Sequence, residues 1–286
     1  MSRINVLKTY KLYIGGKFPR TESGRYYAVT NDSGELVANM CLSSRKDFRN
    51  AVVIARKAQL GWAKVTALNK GQILYRIAEM LEGRSAQFVA ELMQQGASKK
   101  DAEAEVIEAI DRLVYYAGWS DKYQQVLSAV NPVASSHFSF SRLEPVGVVA
   151  IMAPQEQSLL GLVSVIAPAI VGGNSIVVLA SETLPLNAVS FAEVLHSSDV
   201  PAGVVNILTG KTDELIEHMA SHMDVNAIVY AGRNEDYIAQ INTLAAANLK
   251  RVIIHKKHNW SNENCASPYM IEKTQEVKTT WHPTKV

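Results

Sequence analysis

Two cysteines, Cys41 and Cys265, are the strongest potential nucleophiles of this 286-residue chain. A cysteine attacks as the thiolate, so it needs a helix N-terminus or nearby cations to lower its pKa. Cys265 lies in the polar segment Asn262–Ser267 with no such group close in sequence, and Cys41 lies in an apolar run. We interpret Cys265 as an ordinary loop cysteine and Cys41 as a packing residue. Two cysteines are too few for a disulfide framework, which favours a reducing cytoplasmic location.

Histidines and carboxylates are the next candidates for chemistry. His218 and His222 have the i, i+4 spacing of some zinc sites, but no third ligand accompanies them, so we interpret them with Met219 as a solvated helix face. Four further histidines are too scattered to define a site: His196, His255, His258 and His282. A group of carboxylates is predicted to form the solvent side of one helix: Glu103, Glu105, Glu108 and Asp111. We expect no metal site.

Composition and charge exclude several classes of partner. The chain has 29 Lys+Arg and 27 Asp+Glu, a net charge of +2, which predicts neither nucleic-acid binding nor attraction to an anionic membrane. The longest apolar stretch, Leu159–Gly173, contains Pro168 and is shorter than the roughly 20 residues that cross a bilayer. The first ten residues lack the apolar segment of a secretory signal. These features indicate a cytoplasmic globular protein.

The first half of the chain predicts short strands followed by helices. Tyr10–Ile14 precedes the turn pair Gly15–Gly16, and a second turn at residues 31–34 precedes the apolar run Leu36–Leu42. Ser44 and Asp47 have the spacing of a capping box before a helix, and further helices are predicted between residues 70 and 124. From residue 126 the pattern changes to alternation, which predicts a hairpin arm.

The second half alternates apolar strands with amphipathic helices. Continuous Val/Ile runs separated by helices are typical of a parallel sheet that is covered on both faces. We therefore predict an α/β fold with a doubly wound, five-stranded parallel sheet. A terminal strand is predicted at Glu276–Trp281. The five sheet strands are expected at residues 146–152, 175–179, 204–208, 227–230 and 251–254.

Several short sequence motifs together resemble those of one family. They are Glu144–Val149, Ile166–Ala169, Gly172–Asn174, Val177–Leu179, Asp199–Gly210 and Leu249–Val252, with Tyr13–Gly16 and Glu276–Thr279 at the two ends. The chain resembles the aldehyde dehydrogenase superfamily over nearly its whole length. The variant Leu179–Glu182 is similar to the branch in which an incomplete unit accompanies a complete dehydrogenase.

The resemblance implies a domain organisation. Residues 1–123 and 144–268 would form the Rossmann-like cofactor domain with its N-terminal helices, and residues 124–143 and 269–286 a small β oligomerisation arm and tail. In the family, the catalytic domain lies between the fifth strand and the tail, but here only residues 255–268 separate Ile254 from Tyr269. We therefore expect the catalytic domain and its nucleophilic cysteine to be absent. Cys265 lacks the Gly-Gln that precedes the family's nucleophile.

The positions that hold the cofactor in the family are degenerate here. The resemblance places them at Pro154, Glu182, Gly210 and Gly232. The ribose-binding lysine of the family's Lys-Pro-Ser-Glu is missing before Glu182, which could still accept from a hydroxyl or be only an exposed helix charge. The family's Gly-Ser-Thr-x-x-Gly turn ends here in Tyr237, which predicts a blocked approach to a pyrophosphate.

The resemblance implies that residues with catalytic roles in the family are replaced here as well. Glu156 stands where an asparagine would donate to the oxyanion, and a carboxylate would repel it. His255 replaces the general-base glutamate. The resemblance thus implies a non-catalytic homologue without a cofactor, acting as an oligomerisation or regulatory subunit, in a homo-oligomer or with a complete aldehyde dehydrogenase. The alternative is an NAD- or NADP-dependent aldehyde oxidoreductase, or a nucleotide-binding half-enzyme, that works only with a complete dehydrogenase and binds the nucleotide weakly. A third possibility is a plain nucleotide sensor.

Overall fold

The N-terminal segment forms a tight turn and a small hairpin. The computed structural model describes residues 8–31, 33–256 and 259–284. Gly15 and Gly16 adopt positive φ angles of 61° and 73°, which lets Ile14 pair with Lys17. Strands β1 (Tyr26–Thr30) and β2 (Leu36–Cys41) then pair antiparallel. The predicted strand at residues 10–14 is wrong as a regular strand, because the segment makes only isolated bridges.

Five helices follow, and the first begins where the sequence predicts. Ser44 accepts hydrogen bonds from the Lys46 and Asp47 backbones, and the Asp47 side chain accepts from the Ser44 backbone, so the capping box is confirmed. Asp47 is buried, and its carboxylate also accepts a 2.6 Å hydrogen bond from the Thr21 hydroxyl. The helices are α1 (Arg45–Lys64), α2 (Ala67–Glu82), α3 (Ser85–Gln94), α4 (Lys99–Trp119) and α5 (Tyr123–Leu127).

The centre of the fold is the predicted five-stranded parallel sheet. Its strands are β5 (Val148–Met152), β6 (Ser175–Leu179), β7 (Val205–Leu208), β8 (Ala227–Tyr230) and β9 (Arg251–Ile254). Their spatial order is β7-β6-β5-β8-β9, so the connections reverse direction beside β5. This order confirms a doubly wound sheet, with its switch point between β5 and β8.

Helices cover both faces of this sheet because its strands are apolar on both sides. The connecting helices are α6 (Leu160–Val171), α7 (Leu186–His196), α8 (Thr212–Ser221) and α9 (Glu235–Ala245). One face packs with α2, α4, α6 and α7, and the other with α1, α8 and α9. Successive residues of β5 alternate between the two cores: Val149 and Ile151 face one, and Val148, Ala150 and Met152 face the other. Among the described residues, no helix is long and apolar enough to cross a membrane.

A second, smaller sheet forms the arm. Strands β3 (Ala129–Asn131), β4 (His137–Pro145) and β10 (Gln275–Pro283) pair antiparallel in the order β10-β4-β3. The predicted association of the hairpin with the terminal strand is therefore observed, although α5 occupies the beginning of the predicted arm. Whether the domain boundaries given above divide the chain into functional units stays a prediction.

A short segment connects β9 to the arm. It contains a 3₁₀ turn at Glu263–Cys265 and the short helix α10 (Tyr269–Glu272), which the sequence analysis did not predict. Ile271 of α10 is fully buried. His258 lies outside the described residues.

One carboxylate of α4 does not face solvent as predicted. Glu105 accepts hydrogen bonds of 2.8 and 3.2 Å from the backbones of Leu159 and Leu160, at the start of α6. Burial raises the pKa of this carboxyl, against the lowering effect of the two backbone donors. Because α6 has no side-chain N-cap of its own, Glu105 supplies the missing acceptor from another helix.

Candidate functional site

A cleft lies at the carboxyl edge of the parallel sheet. It has a volume of about 290 Å³ and is lined by the residues that follow β5, β8 and β9, among them Pro154, Glu156, Arg233, His255 and Trp260. Ligands of open α/β sheets bind at this edge, where the connections diverge. The position of the cleft therefore makes it the candidate functional site.

The cleft is polar at its mouth and aromatic at its base. The carboxylate of Glu156 lies 4.0 Å from the guanidinium of Arg233, and both side chains are largely exposed. His255 is buried at the base, with its ring centroid 5.6 Å from that of Trp260. The mouth of the cleft therefore carries the carboxylate of Glu156, and its correspondence to the family's oxyanion donor stays a prediction.

Gly232 is required by a neighbouring ring. A Cβ at this position would lie 2.4 Å from the ring of Tyr230, so the absence of a side chain makes room for that tyrosine. The Tyr230 ring also packs edge-on against Tyr237, at 6.2 Å between centroids. Tyr237, which the sequence predicts to crowd this turn, therefore contacts Tyr230.

The N-terminus of α9 is closed to an anion. The side chain of Asn234 accepts hydrogen bonds of 2.9 and 3.2 Å from the backbones of Asp236 and Tyr237. The first turn carries two carboxylates, Glu235 and Asp236. A helix N-terminus attracts phosphate through free N–H groups and its positive dipole end, and here the cap and the carboxylates oppose both effects. The sequence analysis did not identify Asn234, although an asparagine before two acidic residues is a helix-start signal.

Glu182 and Gly210 lie away from the cleft, near the start of α8. Glu182 accepts a 3.3 Å hydrogen bond from the backbone of Thr212, so it is an N-terminal charge of α8 and is not free. A Cβ on Gly210 would lie 3.3 Å from the backbone nitrogen of Ser43, which shows close backbone packing. Gln155 links this region to the cleft, because its side chain accepts a 2.8 Å hydrogen bond from the Glu182 backbone.

The structure thus divides the predicted cofactor residues into two groups. Pro154 and Gly232 line the cleft, where Pro154 packs against Gly161. Glu182 and Gly210 form the second group. Their role in binding a nucleotide stays a prediction. No cofactor geometry follows from these positions alone, since all four have packing or capping partners within the chain.

Cys265 is a buried thiol outside the cleft lining. Its sulfur donates to the backbone oxygen of Asn259 at 3.2 Å, and burial raises the pKa of the thiol. A raised pKa disfavours the thiolate, so the interpretation of Cys265 as an unreactive loop residue agrees with the geometry. Cys41 is buried at the end of β2, with its sulfur 3.6 Å from the Tyr10 backbone oxygen.

Arg112 organises the segment that contains Cys265, and the sequence analysis missed it. This buried guanidinium donates to the backbone oxygens of Trp260 at 2.8 Å and Cys265 at 3.2 Å, and to the Ser164 hydroxyl at 2.6 Å. A sequence signal existed, because Arg112 falls one turn before Tyr116 on the apolar stripe of α4.

His222, the second of the two histidines near the end of α8, contacts other parts of the chain. His222 accepts a 3.2 Å hydrogen bond from the backbone of Asp224, and its ring packs edge-on against Phe48 at 5.8 Å. Across the described part of the chain, no group of three or more metal-binding side chains comes together. His222 is therefore a partly buried packing residue, and Met219 is fully buried in the core, so the interpretation of these two residues as part of a solvated helix face is wrong.

The sheet order and the position of the cleft define a doubly wound, Rossmann-like α/β unit. A family model described as "Aldehyde dehydrogenase family" matches residues 18–256, and the chain belongs to this family. The match ends two residues after β9, before the segment that leads to the arm.

Curated relatives support the same assignment. The chain is 30% identical to cytosolic 10-formyltetrahydrofolate dehydrogenase of Mus musculus over 258 residues, which are 88% of this chain and 29% of that protein. It is 30% identical to omega-crystallin of Enteroctopus dofleini, over 86% of this chain and 50% of that protein. It is 32% identical to cytosolic aldehyde dehydrogenase 1 of Elephantulus edwardii, over 85% of this chain and 49% of that protein. The chain spans about half the length, or less, of these relatives.

Solved structures share the fold. PnpE from Pseudomonas sp. WBC-3 superposes with a TM-score of 0.82 at 26% identity, over 86% of this chain and 50% of that one. Betaine aldehyde dehydrogenase of Staphylococcus aureus, solved in complex with NAD+, superposes with a TM-score of 0.81 at 24% identity, over 86% of this chain and 49% of that one. Membership of the two-unit branch stays a prediction.

Proposed function

We propose that this chain is a non-catalytic member of the aldehyde dehydrogenase family that acts as an association subunit. The observation that carries the proposal is the arm sheet, which presents apolar side chains to solvent. Val130 and Phe138 are 68% and 46% exposed, and Val277 and Trp281 are 64% and 57% exposed. A small sheet with apolar groups on both faces is marginal alone and gains stability by packing against another surface.

The register of the arm separates these side chains onto two faces. Phe138 and Phe140 share one face of β4 with Val130 of β3, and their two rings lie 5.7 Å apart. Val277 and Trp281 alternate with that set and therefore share the opposite face. β10 also has a free edge, since it pairs only with β4 among the described strands. A nine-residue edge of this kind can pair with another chain.

The candidate site supports the non-catalytic part of the proposal. Oxidation of an aldehyde through a thiohemiacetal needs a thiolate, an oxyanion donor and a base. The buried thiol of Cys265 and the carboxylate of Glu156 cannot supply the first two. His255 could act as a base, but it has no nucleophile to activate.

The association is tested with charged substitutions on the arm. We expect Phe138→Lys combined with Trp281→Lys to lower the mass measured by light scattering, because lysines on both faces of the arm oppose apolar packing. Leu60→Lys on α1 is the matched control, since Leu60 is 67% exposed and lies on a different element. Deletion of residues 269–286 is a poorer test, because it removes the buried Ile271 along with the arm strand.

The partner is identified in the same experiment. The chain is measured alone and after mixing with a complete aldehyde dehydrogenase, to separate self-association from association with a full-length family member. A chain that is strictly monomeric and leaves the mass of the complete enzyme unchanged would contradict the proposal.

A half-enzyme that binds a dinucleotide is the second candidate, favoured by the cleft at the carboxyl edge and by the carboxylate of Glu182. We expect titration calorimetry with NAD and with NADP to show no binding in the micromolar range. Loss of one charge-assisted contact weakens binding by roughly ten- to a hundredfold, and the capped N-terminus of α9 weakens it further. A micromolar dissociation constant would support the half-enzyme instead.

A further inference from the structure

A basic cleft lies between α1 and α8, on the sheet face that these helices cover. It has a volume of about 370 Å³. Its lining consists of Arg45, Phe48, Arg49, Glu217, His218, Ser221 and His222. The volume is within the range of small-molecule sites, about 300–1,000 Å³.

The basic residues of the cleft lie one helical turn apart on each of the two helices. Arg45 and Arg49 are separated by one helical turn on α1, and His218 and His222 are separated by one turn at the end of α8. The edge-on contact of Phe48 with the His222 ring holds the two helices together at the base of the cleft. Both arginines and both histidines therefore line the same cleft, and the fully buried Phe48 lies beneath it.

Both arginines are exposed on the surface of α1. Within residues 8–31, 33–256 and 259–284, neither Arg45 nor Arg49 makes an ion pair or a hydrogen bond through its side chain. Glu22 accepts from the ammonium of Lys46 at 3.0 Å, and its pKa is lowered by the hydrogen bonds from Lys46 and Ser44 and also by the charge of Arg49. Glu217, at the rim, is the one carboxylate of the lining, so two fixed positive charges exceed one negative charge.

We propose that this cleft binds the phosphate group of a small phosphomonoester. Two adjacent guanidinium groups offer paired N–H donors that match the oxygens of a phosphate, and Ser221 offers a hydroxyl. The volume beyond the phosphate leaves room for a compact organic group attached to it. The proposal is independent of the arm and of the cleft at the carboxyl edge of the parallel sheet.

The test measures binding of two probes by titration calorimetry, with chloride at matched ionic strength as the blank. Inorganic phosphate and phenyl phosphate distinguish a free anion from an ester. We expect phenyl phosphate to bind more tightly than inorganic phosphate, and Arg45→Gln combined with Arg49→Gln to weaken it by tenfold or more. Arg76→Gln on α2 is the matched control and should leave the affinity unchanged, since that arginine pairs only with Glu79 among the described residues.

A second variant is expected to strengthen the binding of phenyl phosphate instead of weakening it. Glu217→Gln removes the carboxylate at the rim, and we expect it to tighten binding of phenyl phosphate severalfold. Circular dichroism of every variant checks that the fold is retained. The proposal is overturned if neither probe shows saturable binding, if inorganic phosphate binds as tightly as the ester, or if the double arginine variant binds like the unsubstituted chain.

Discussion

Purified chain mixed with an aldehyde and NAD or NADP is expected to produce no reduced cofactor. The thiol of Cys265 is buried, its pKa is raised, and it lies outside the lining of the cleft. Removal of a catalytic nucleophile costs on the order of 10⁶ in kcat, so the rate should be indistinguishable from the background. The measurement is absorbance of the reduced nicotinamide, with short and long aldehydes.

Two controls make this result informative. A complete aldehyde dehydrogenase under the same conditions shows that substrate and cofactor are competent. Cys265→Ser and Cys41→Ser are assayed beside the unsubstituted chain. Turnover above background that disappears in Cys265→Ser alone would refute the non-catalytic proposal, because it would show that Cys265 acts as a nucleophile in solution.

Substitution of Arg112 by methionine is expected to lower the free energy of unfolding by about 3–5 kcal/mol. Methionine fills much of the arginine's volume but donates no hydrogen bond. The backbone oxygens of Trp260 and Cys265 would then lose their charge-assisted donor inside the protein. Denaturant unfolding followed by circular dichroism gives the magnitude, and hydrogen exchange should increase first between residues 259 and 268.

Arg76→Met is the control for this loss, because Arg76 is exposed and pairs with Glu79 on the helix surface. It should change the stability by well under 1 kcal/mol. Arg112→Lys keeps the charge but loses the fork of donors, so its cost should fall between the other two. If Arg112→Met proved as stable as the control, the segment after β9 would not depend on this guanidinium.

The parallel sheet was predictable because its signal is local and repeated. Four of its five strands are short apolar runs that are buried on both faces, and the helices between them fall at regular intervals along the chain. The strand at residues 10–14 was mispredicted because an apolar run beside two glycines also suits a turn that makes isolated bridges. Helix α10 was missed because it has only four residues and begins after Pro268.

The candidate site was only partly predictable, because its contacts join distant parts of the chain. The sequence indicated Gly232 and Tyr237 but not Tyr230, whose ring occupies the space that the glycine leaves. Charge patterning alone assigned Glu105 to solvent, yet its partners are backbone groups on another helix. In the sequence alone, a solvated arginine cannot be distinguished from one that binds phosphate, nor a solvated carboxylate from one that caps a helix. The distinction depends on neighbours that only the fold brings together.

The pairing of β4 with β10 has a consequence for how the protein folds. Glu144 lies opposite Glu276, so every strand of the parallel sheet is synthesised between these two partners. Contacts of such high sequence separation form slowly, because closing the long intervening loop costs entropy before any hydrogen bond is gained. During translation one edge of β4 therefore stays unpaired until β10 has been synthesised. An unpaired edge of this kind is the place where an incompletely folded chain is most exposed to pairing with another strand.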